Sequence, residues 1–415
     1  MNHLLNNLND LKNKLTNNYQ FFVQKTRLHY VIEHVKKFSM AYILIILFLS
    51  FGIKDPQLFR PDQIINLIQN NIYIWVLCLG MLLIIIAGHI DLSVGTLLGF
   101  LGIISVQLYN LVGNSAGSII LTTLIIILVG LILGLMQGFL VGYGKIPAFI
   151  VTLGGLMLFR GLQLWITNGQ TFLIDGKYDS YYVQFVIGSI PDVKINNFSV
   201  FSFLFFVISV IVVILLRLWG RRNKTKFKLK TQNIILFIAS QIITVLLFLG
   251  VGVVIALSSR GMQWFVFYSI LIIVVFVFLT QNTTFGRSVY AIGGNKKAAA
   301  LSGINIKRNT TIIFGIMGAL AGFAAIIYTG YTTSAASNVG EEFALNIISA
   351  VFIGGASVSG GVGTVVGTIL GAALLQTIDQ AMTIANSTVA IKNVIKGLIL
   401  IAAVGWDVFS NRKTR

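Results

Sequence analysis

Long apolar runs separated by short polar breaks recur down the whole chain, at about 39–53, 72–87, 96–112, 118–143, 147–166, 198–216, 233–257, 264–281, 311–331, 345–353, 364–385 and 391–406. Most approach the ~20 residues that an α-helix needs to cross ~30 Å of hydrocarbon. A helix is also the structure that satisfies its backbone polar groups within one such segment. The pattern predicts an all-α fold, a polytopic membrane helix bundle of ten to twelve transmembrane helices. Twelve follows if 345–353 crosses, and ten if two short pieces are re-entrant.

The polar breaks orient the chain. Residues 1–38 are basic, rich in Asn and Lys, and lack the early apolar core of a cleavable signal. They are expected to form a cytoplasmic tail, partly amphipathic, lying on anionic lipid. RLWGRRNKTKFKLK (217–230) carries seven cations in fourteen residues and reads as a cytoplasmic basic loop. With that loop inside, a transmembrane domain spans 39–410 and both termini are cytoplasmic, including the tail 411–415. The polar stretch 167–197, with Asp175, Asp179, Pro191 and Asp192, then lies outside.

The net charge of +18 could suggest nucleic acid, but the cations gather in short loops beside spans, so the expected partner is the lipid bilayer. Cys78, the single cysteine, has no internal disulfide partner. Neither Gly144-Lys145 nor Gly176-Lys177 extends into a Walker A pattern, and the four histidines show no metal-ligand spacing. No nucleophile–base pair stands out. The chain is expected not to be an enzyme and to hold no cofactor or metal of its own.

The break at 285–308 has the most internal structure. Gly293-Gly294 is expected to interrupt the chain and Asn295 to cap a helix over Lys296–Leu301, with Ala299 inside it. Gly303 is a left-handed terminator. Two turns of helix are too short to be stable alone in water, so this one needs a surface to dock on, with Leu301 as its apolar anchor. Elsewhere Gly130, Gly134, Gly138 and Gly142, and again Gly363, Gly367 and Gly371, recur at four-residue spacing and predict close helix contact. GHIDLSVG (88–95) and GGASVSGG (354–361) share a pattern compatible with a parallel internal duplication.

A path for a neutral polar solute would use hydroxyl and amide groups such as Gln137, Thr152, Asn346 and Gln376. Asp91 fits either a pathway role or an N-cap for the next span. Glu341 and Glu342 are placed to meet cations of an external protein or to be solvated. Asp379 is expected to pair with Lys392 or Lys396.

FGRSVYAIGGNKKAAALSGINIKR (285–308) resembles the coupling segment of sugar permeases of ATP-binding-cassette importers, in the ribose, galactose and xylose group. The likeness extends from about 70 to the C-terminus through KIPAFIVTLGGLMLFRGL (145–162), GGASVSGGVGTVVG (354–367) and IKGLILIAAVGWDV (395–408). The basic loop and added span pair at 217–281 are most similar to the xylose-type branch. The resemblance implies a bacterial inner or plasma membrane location, a permease homodimer and an extracytoplasmic sugar-binding protein. It also implies a sugar-type ATPase that binds ATP and Mg and docks on Gly293, Gly294, Asn295, Ala299, Leu301 and Gly303. The chain departs from the family at His89, where Gly is usual, at Ala344-Leu345-Asn346 in place of Glu-Leu-Asp, and at Asp379-Gln380 in place of two asparagines. These departures leave nucleosides and other small polar solutes open as cargo. An ion-coupled secondary transporter would need intramembrane acids, for which Asp91 and Asp379 are the two plausible positions, and would leave 285–308 unexplained.

Overall fold

The computed structural model describes residues 42–53, 56–196, 198–227 and 234–412. The N-terminal tail, residues 228–230 of the basic loop and residues 413–415 lie outside the described residues. Sixteen helices follow one another in what is described, with four two-residue strands. They are α1 (Tyr42–Ile53), α2 (Pro61–Gln69), α3 (Ile72–Ile86), α4 (Val94–Val112), α5 (Ala116–Gly142), α6 (Ala148–Thr167), α7 (Tyr181–Ile187) and α8 (Val200–Lys226). The second half contains α9 (Ile234–Leu257), α10 (Trp264–Asn282), α11 (Thr284–Gly294), α12 (Lys296–Leu301), α13 (Ile306–Thr332), α14 (Phe343–Ile353), α15 (Val365–Ile384) and α16 (Val389–Arg412).

The fold is all-α. Among the described residues, α4, α5, α6, α8, α9, α10, α13 and α15 are long and apolar enough to cross a membrane. The pair α2–α3, bent by 46°, adds a ninth span, while α1 and α14 are shorter apolar helices.

The bundle is built round α3, fourteen of whose fifteen residues are buried. Such a helix is apolar on all sides because it meets protein on all sides. Next to it α5 and α13 cross closely. Added Cβ atoms at Gly130 and Gly134 would strike the carbonyl oxygens of Gly318 and Phe314, and one at Gly138 the backbone of Thr311. Without these glycines the two backbones could not approach as they do. Gly367 and Gly371 have the same role on α15, against Gly354 and Ala350 of α14. Gly363 is a correction: it precedes α15, in the non-helical link, and faces Leu82 and Ile86 of α3.

Three more boundaries differ from the sequence reading. The break after α1 contains helix α2, started by Pro61 and tied down by Asp62, which accepts from the amide and hydroxyl of Ser259 (2.8 and 2.9 Å). The basic segment 217–226 is not a loop but the last turns of α8. Arg, Lys and Leu favour helix there, and Gly220 alone does not end it. The polar stretch 167–197 holds α7, whose Tyr182, Val183 and Val186 are buried. Tyr182 Oη lies 2.8 Å from Ser105 Oγ and 2.6 Å from Thr329 Oγ1, which fixes α7 on α4 and α13.

α3 and α14 run parallel, since Tyr73 packs on Phe343 and Cys78 Sγ faces the Ile347 carbonyl further along. Each ends in the same backbone turn. Gly88 (φ +79°) donates to Ile85 and His89 to Ile84; Gly355 (φ +90°) donates to Phe352 and Ala356 to Val351. Matching turns align Gly88 with Gly355, one residue away from the register suggested by the two octapeptides.

Candidate coupling junction and solute path

Helix α12 forms as its sequence dictates. Asn295 Oδ1 accepts from the Ala298 amide (3.0 Å), and Gly303 (φ +81°) donates to Ala300 while Ile304 donates to Ala299. Both ends of a six-residue helix are therefore closed, and the following Asn305 caps α13 through Arg308. Ala299 faces inward at 3% exposure, whereas Leu301 stands 91% exposed. An isolated Leu at that exposure touches almost nothing of its own chain.

Gly293 and Gly294 do not interrupt the chain before α12. They are the last two residues of α11, and the break falls at Asn295. Their roles differ. A Cβ at Gly293 would overlap the Ile86 carbonyl oxygen and the Gly361 amide nitrogen, whereas one at Gly294 would meet nothing within 4 Å. Gly361 N donates to the Ile86 oxygen (2.8 Å), and Tyr290 Oη donates to the Gly363 oxygen (2.7 Å). The end of α11, the end of α3 and the α14–α15 link thus meet backbone to backbone. Displacement of α11–α12 must be felt by both, because no side chain lies between to absorb it.

His89, beside this junction, packs on Phe314 with ring centroids 6.3 Å apart. Burial, and secondarily the Lys296 charge, lower its pKa to about 4. An unfolded His titrates near 6.5, so the unfolded chain binds the extra proton between the two values. Stability should therefore fall as pH drops from 6.5 towards 4 and stay flat in this respect above 6.5. Thermal unfolding at pH 7 and pH 5 should show a smaller loss in His89→Gln than in the wild type.

Three of the five path candidates converge on the link between α3 and α4. Asp91 Oδ1 accepts from the amide and hydroxyl of Ser93 (2.8 and 2.7 Å) at the start of α4. Gln137 Nε2 of α5 donates to Ser93 Oγ (2.9 Å), and Thr152 Oγ1 of α6 donates to the Ile90 carbonyl (3.3 Å). All three side chains are buried. Enclosed and bonded in this way, they clasp α4, α5 and α6 together; the N-cap of α4 is Ser93, so Asp91 is not the cap expected from the sequence but holds the cap residue from two positions before it. Gln376 lies at the other end of the bundle, accepting from Trp75 Nε1 (2.7 Å) and donating to the Asn71 carbonyl (3.3 Å). Asn346 is half-buried on α14.

That other end carries acids already engaged within the chain. Arg160 Nε meets Glu341 Oε1 at 2.8 Å, Asn393 donates to Glu342, and Lys396 Nζ meets Asp379 Oδ1 at 2.7 Å. The expected Asp379 pair is with Lys396; Lys392 instead donates to Thr383. A cleft of about 690 Å³ opens here between α2, α7, α13 and the α9–α10 link. Asn66, Gln69, Gln184, Tyr331 and Arg260 line it. None of these stands out in the sequence.

The family model described as branched-chain amino acid transport system / permease component matches residues 63–404, nearly the whole bundle. The chain belongs to this permease family. The permease is 32% identical over 377 residues to the xylose transport system permease protein XylH of Haemophilus influenzae, covering 90% of this chain and 96% of that one. It is 31% identical to the Escherichia coli protein of the same name, covering 90% and 91%. With the ribose import permease protein RbsC of Bacillus subtilis it shares 28% identity, over 94% and 97% of the two chains. No solved structure matches it. It is a multi-pass membrane permease whose family works with a separate ATPase and a substrate-binding protein.

Proposed function

We propose that this permease imports a neutral monosaccharide, a pentose such as xylose in preference to a hexose, as one half of a homodimer driven by two sugar-type ATPase subunits. Similarity over nine-tenths of the chain to permeases named for xylose is the observation that carries the cargo. The capped and exposed helix α12 supports the docking. Nucleotide and Mg belong to the ATPase, and an extracytoplasmic binding protein delivers the sugar.

In this mechanism ATP binding draws the ATPases together and carries α12 with them. Through Gly293 the movement reaches the end of α3 and the α14–α15 link at once. Those links end the two parallel helices α3 and α14, so a single displacement shifts both halves of the bundle between outward- and inward-facing states. The amide and hydroxyl side chains of the cleft, Asn66, Gln69, Gln184 and Tyr331, would exchange hydrogen bonds with a sugar without trapping it, a role that the buried and bonded Gln137, Thr152 and Gln376 do not fill.

In proteoliposomes containing the permease, its ATPase and its binding protein, xylose should raise ATP hydrolysis several-fold. Equal hydrolysis with and without every sugar tried would overturn the proposal. The orientation is checked separately. A cysteine introduced at Lys226 should resist membrane-impermeant thiol reagents in intact cells while one at Lys177 reacts; the reverse labelling would put α12 on the wrong side for an ATPase.

A further inference from the structure

Gln69, the last residue of α2, is only 5% exposed, yet among the described residues its side chain makes no hydrogen bond. Its neighbours are engaged: Asn70 Oδ1 accepts from Tyr331 Oη, and Asn71 Nδ2 donates to the Leu67 carbonyl (3.1 Å). A buried amide without a partner is costly unless something from outside the chain bonds it. Gln69 is placed for that. It lines the cleft of about 690 Å³ and also a smaller cavity of about 200 Å³ beside it, as do Asn66 and Arg260.

The wall of these cavities carries both signs of charge. Asp62 lines the smaller one; its Oδ1 is held by Ser259, and its Oδ2 takes no bond among the described residues. Arg260 is exposed, forms no ion pair among the described residues and keeps its guanidinium donors to offer. Gln69 and Asn66 supply an amide each, able to donate and accept at once. An anion would meet Asp62, and a cation would meet Arg260. A neutral solute with several hydroxyl groups meets neither repulsion, and each hydroxyl also donates and accepts. Tyr178 and Tyr331 add ring surface for its apolar C–H faces. At about 690 Å³ the cleft has the size of a small-molecule site.

We propose that the two cavities form a sugar-binding subsite of the permease itself, in which Gln69 reads hydroxyl groups of the sugar between Asp62 and Arg260. The assignment rests on the reading of the cargo as a neutral monosaccharide. It gives that cargo a first stop at the end of the bundle opposite α12, with Gln69 as a binding residue and not a packing one.

The test uses the permease–ATPase complex in lipid nanodiscs, without nucleotide or binding protein, and follows xylose binding by saturation-transfer NMR. Wild type should bind xylose saturably. Gln69→Leu and Arg260→Gln should each weaken binding roughly tenfold, as expected when one or two hydrogen bonds are lost. Gln69→Leu should meanwhile unfold at or above the wild-type temperature, because it removes an amide that the chain itself does not bond. The corresponding sugar acid, xylonate, should bind more weakly than xylose. Unchanged xylose affinity in either variant, a lower unfolding temperature of Gln69→Leu, or tighter binding of xylonate would overturn the subsite. Should the variants not insert, Ser189→Cys decides. Ser189 is exposed on the cleft, and Cys78, the native cysteine, is buried. Saturating xylose should slow thiol labelling of Ser189→Cys several-fold, and an unchanged rate would overturn the subsite. Xylose accumulation by the complete importer without binding here sinks the subsite and leaves the cargo standing, whereas no accumulation of any sugar sinks both.

Discussion

Gly293→Ala should abolish ATP-driven transport, or reduce it by at least about tenfold, while Gly294→Ala leaves it close to wild type. The two substitutions are chemically identical and adjacent on α11, yet they face opposite situations. At Gly293 the added methyl group would overlap the Ile86 carbonyl and the Gly361 amide, both backbone atoms already joined by a hydrogen bond. Neither can swing away as a side-chain tip would, so α11 must lift off or the α14–α15 link must shift. Overpacking of this kind costs about 1–3 kcal/mol in ordinary cores; at a junction proposed to transmit motion, the damage falls on transmission as well as on stability. At Gly294 the methyl group meets open space, and alanine is the better helix former. Uptake rates and expression levels of both variants check this. Equal activity of the two would mean that the contact through Gly293 carries no motion.

Leu301→Glu should leave the permease inserted and as heat-stable as wild type but should release the ATPase. Leu301 is 91% exposed, so the substitution removes no internal packing. If an ATPase cleft buries that side chain, about 1.5–3 kcal/mol is at stake, a factor of roughly ten to a hundred in affinity before the cost of burying a carboxylate is added. Ala299→Glu is the contrasting case: at 3% exposure it would force a charge under α12 and should unseat the helix itself. Co-purification of the ATPase with each variant, alongside thermal unfolding, separates the two effects. Capture of the ATPase by Leu301→Glu at wild-type strength would rule out Leu301 as the anchor.

What could be read from the sequence was local. Helix α12 was legible because Asn295 and Gly303 each carry a fixed backbone preference, and the spans because hydrocarbon demands continuous apolar helix. The four-residue glycine spacing points to close packing on α5 and α15, but spacing does not show which members lie on the helix: Gly363 precedes α15 and meets α3 instead of α14. Charge marks the end of a span but not of a helix: residues 217–226 continue α8 because Arg and Lys favour helix. The contrast between Gly293 and Gly294 was invisible, since it depends on Ile86 and Gly361, which lie far off in the chain. Asp91, Gln137 and Thr152 were selected for their chemistry, and the fold joins all three at the α3–α4 link. The cleft at the other end escaped notice because Gln69, Gln184, Arg260 and Tyr331 come from four separate segments with no shared motif.

Import of a monosaccharide is tested most directly by accumulation. The permease is reconstituted with its ATPase and binding protein, and labelled xylose, ribose, galactose and a nucleoside are offered separately with and without ATP. ATP-dependent accumulation of xylose above ribose and galactose, with none of the nucleoside, is the expected result. Accumulation of the nucleoside without any sugar would contradict the cargo, and accumulation of sugar driven by an ion gradient in the absence of ATP would contradict the mechanism.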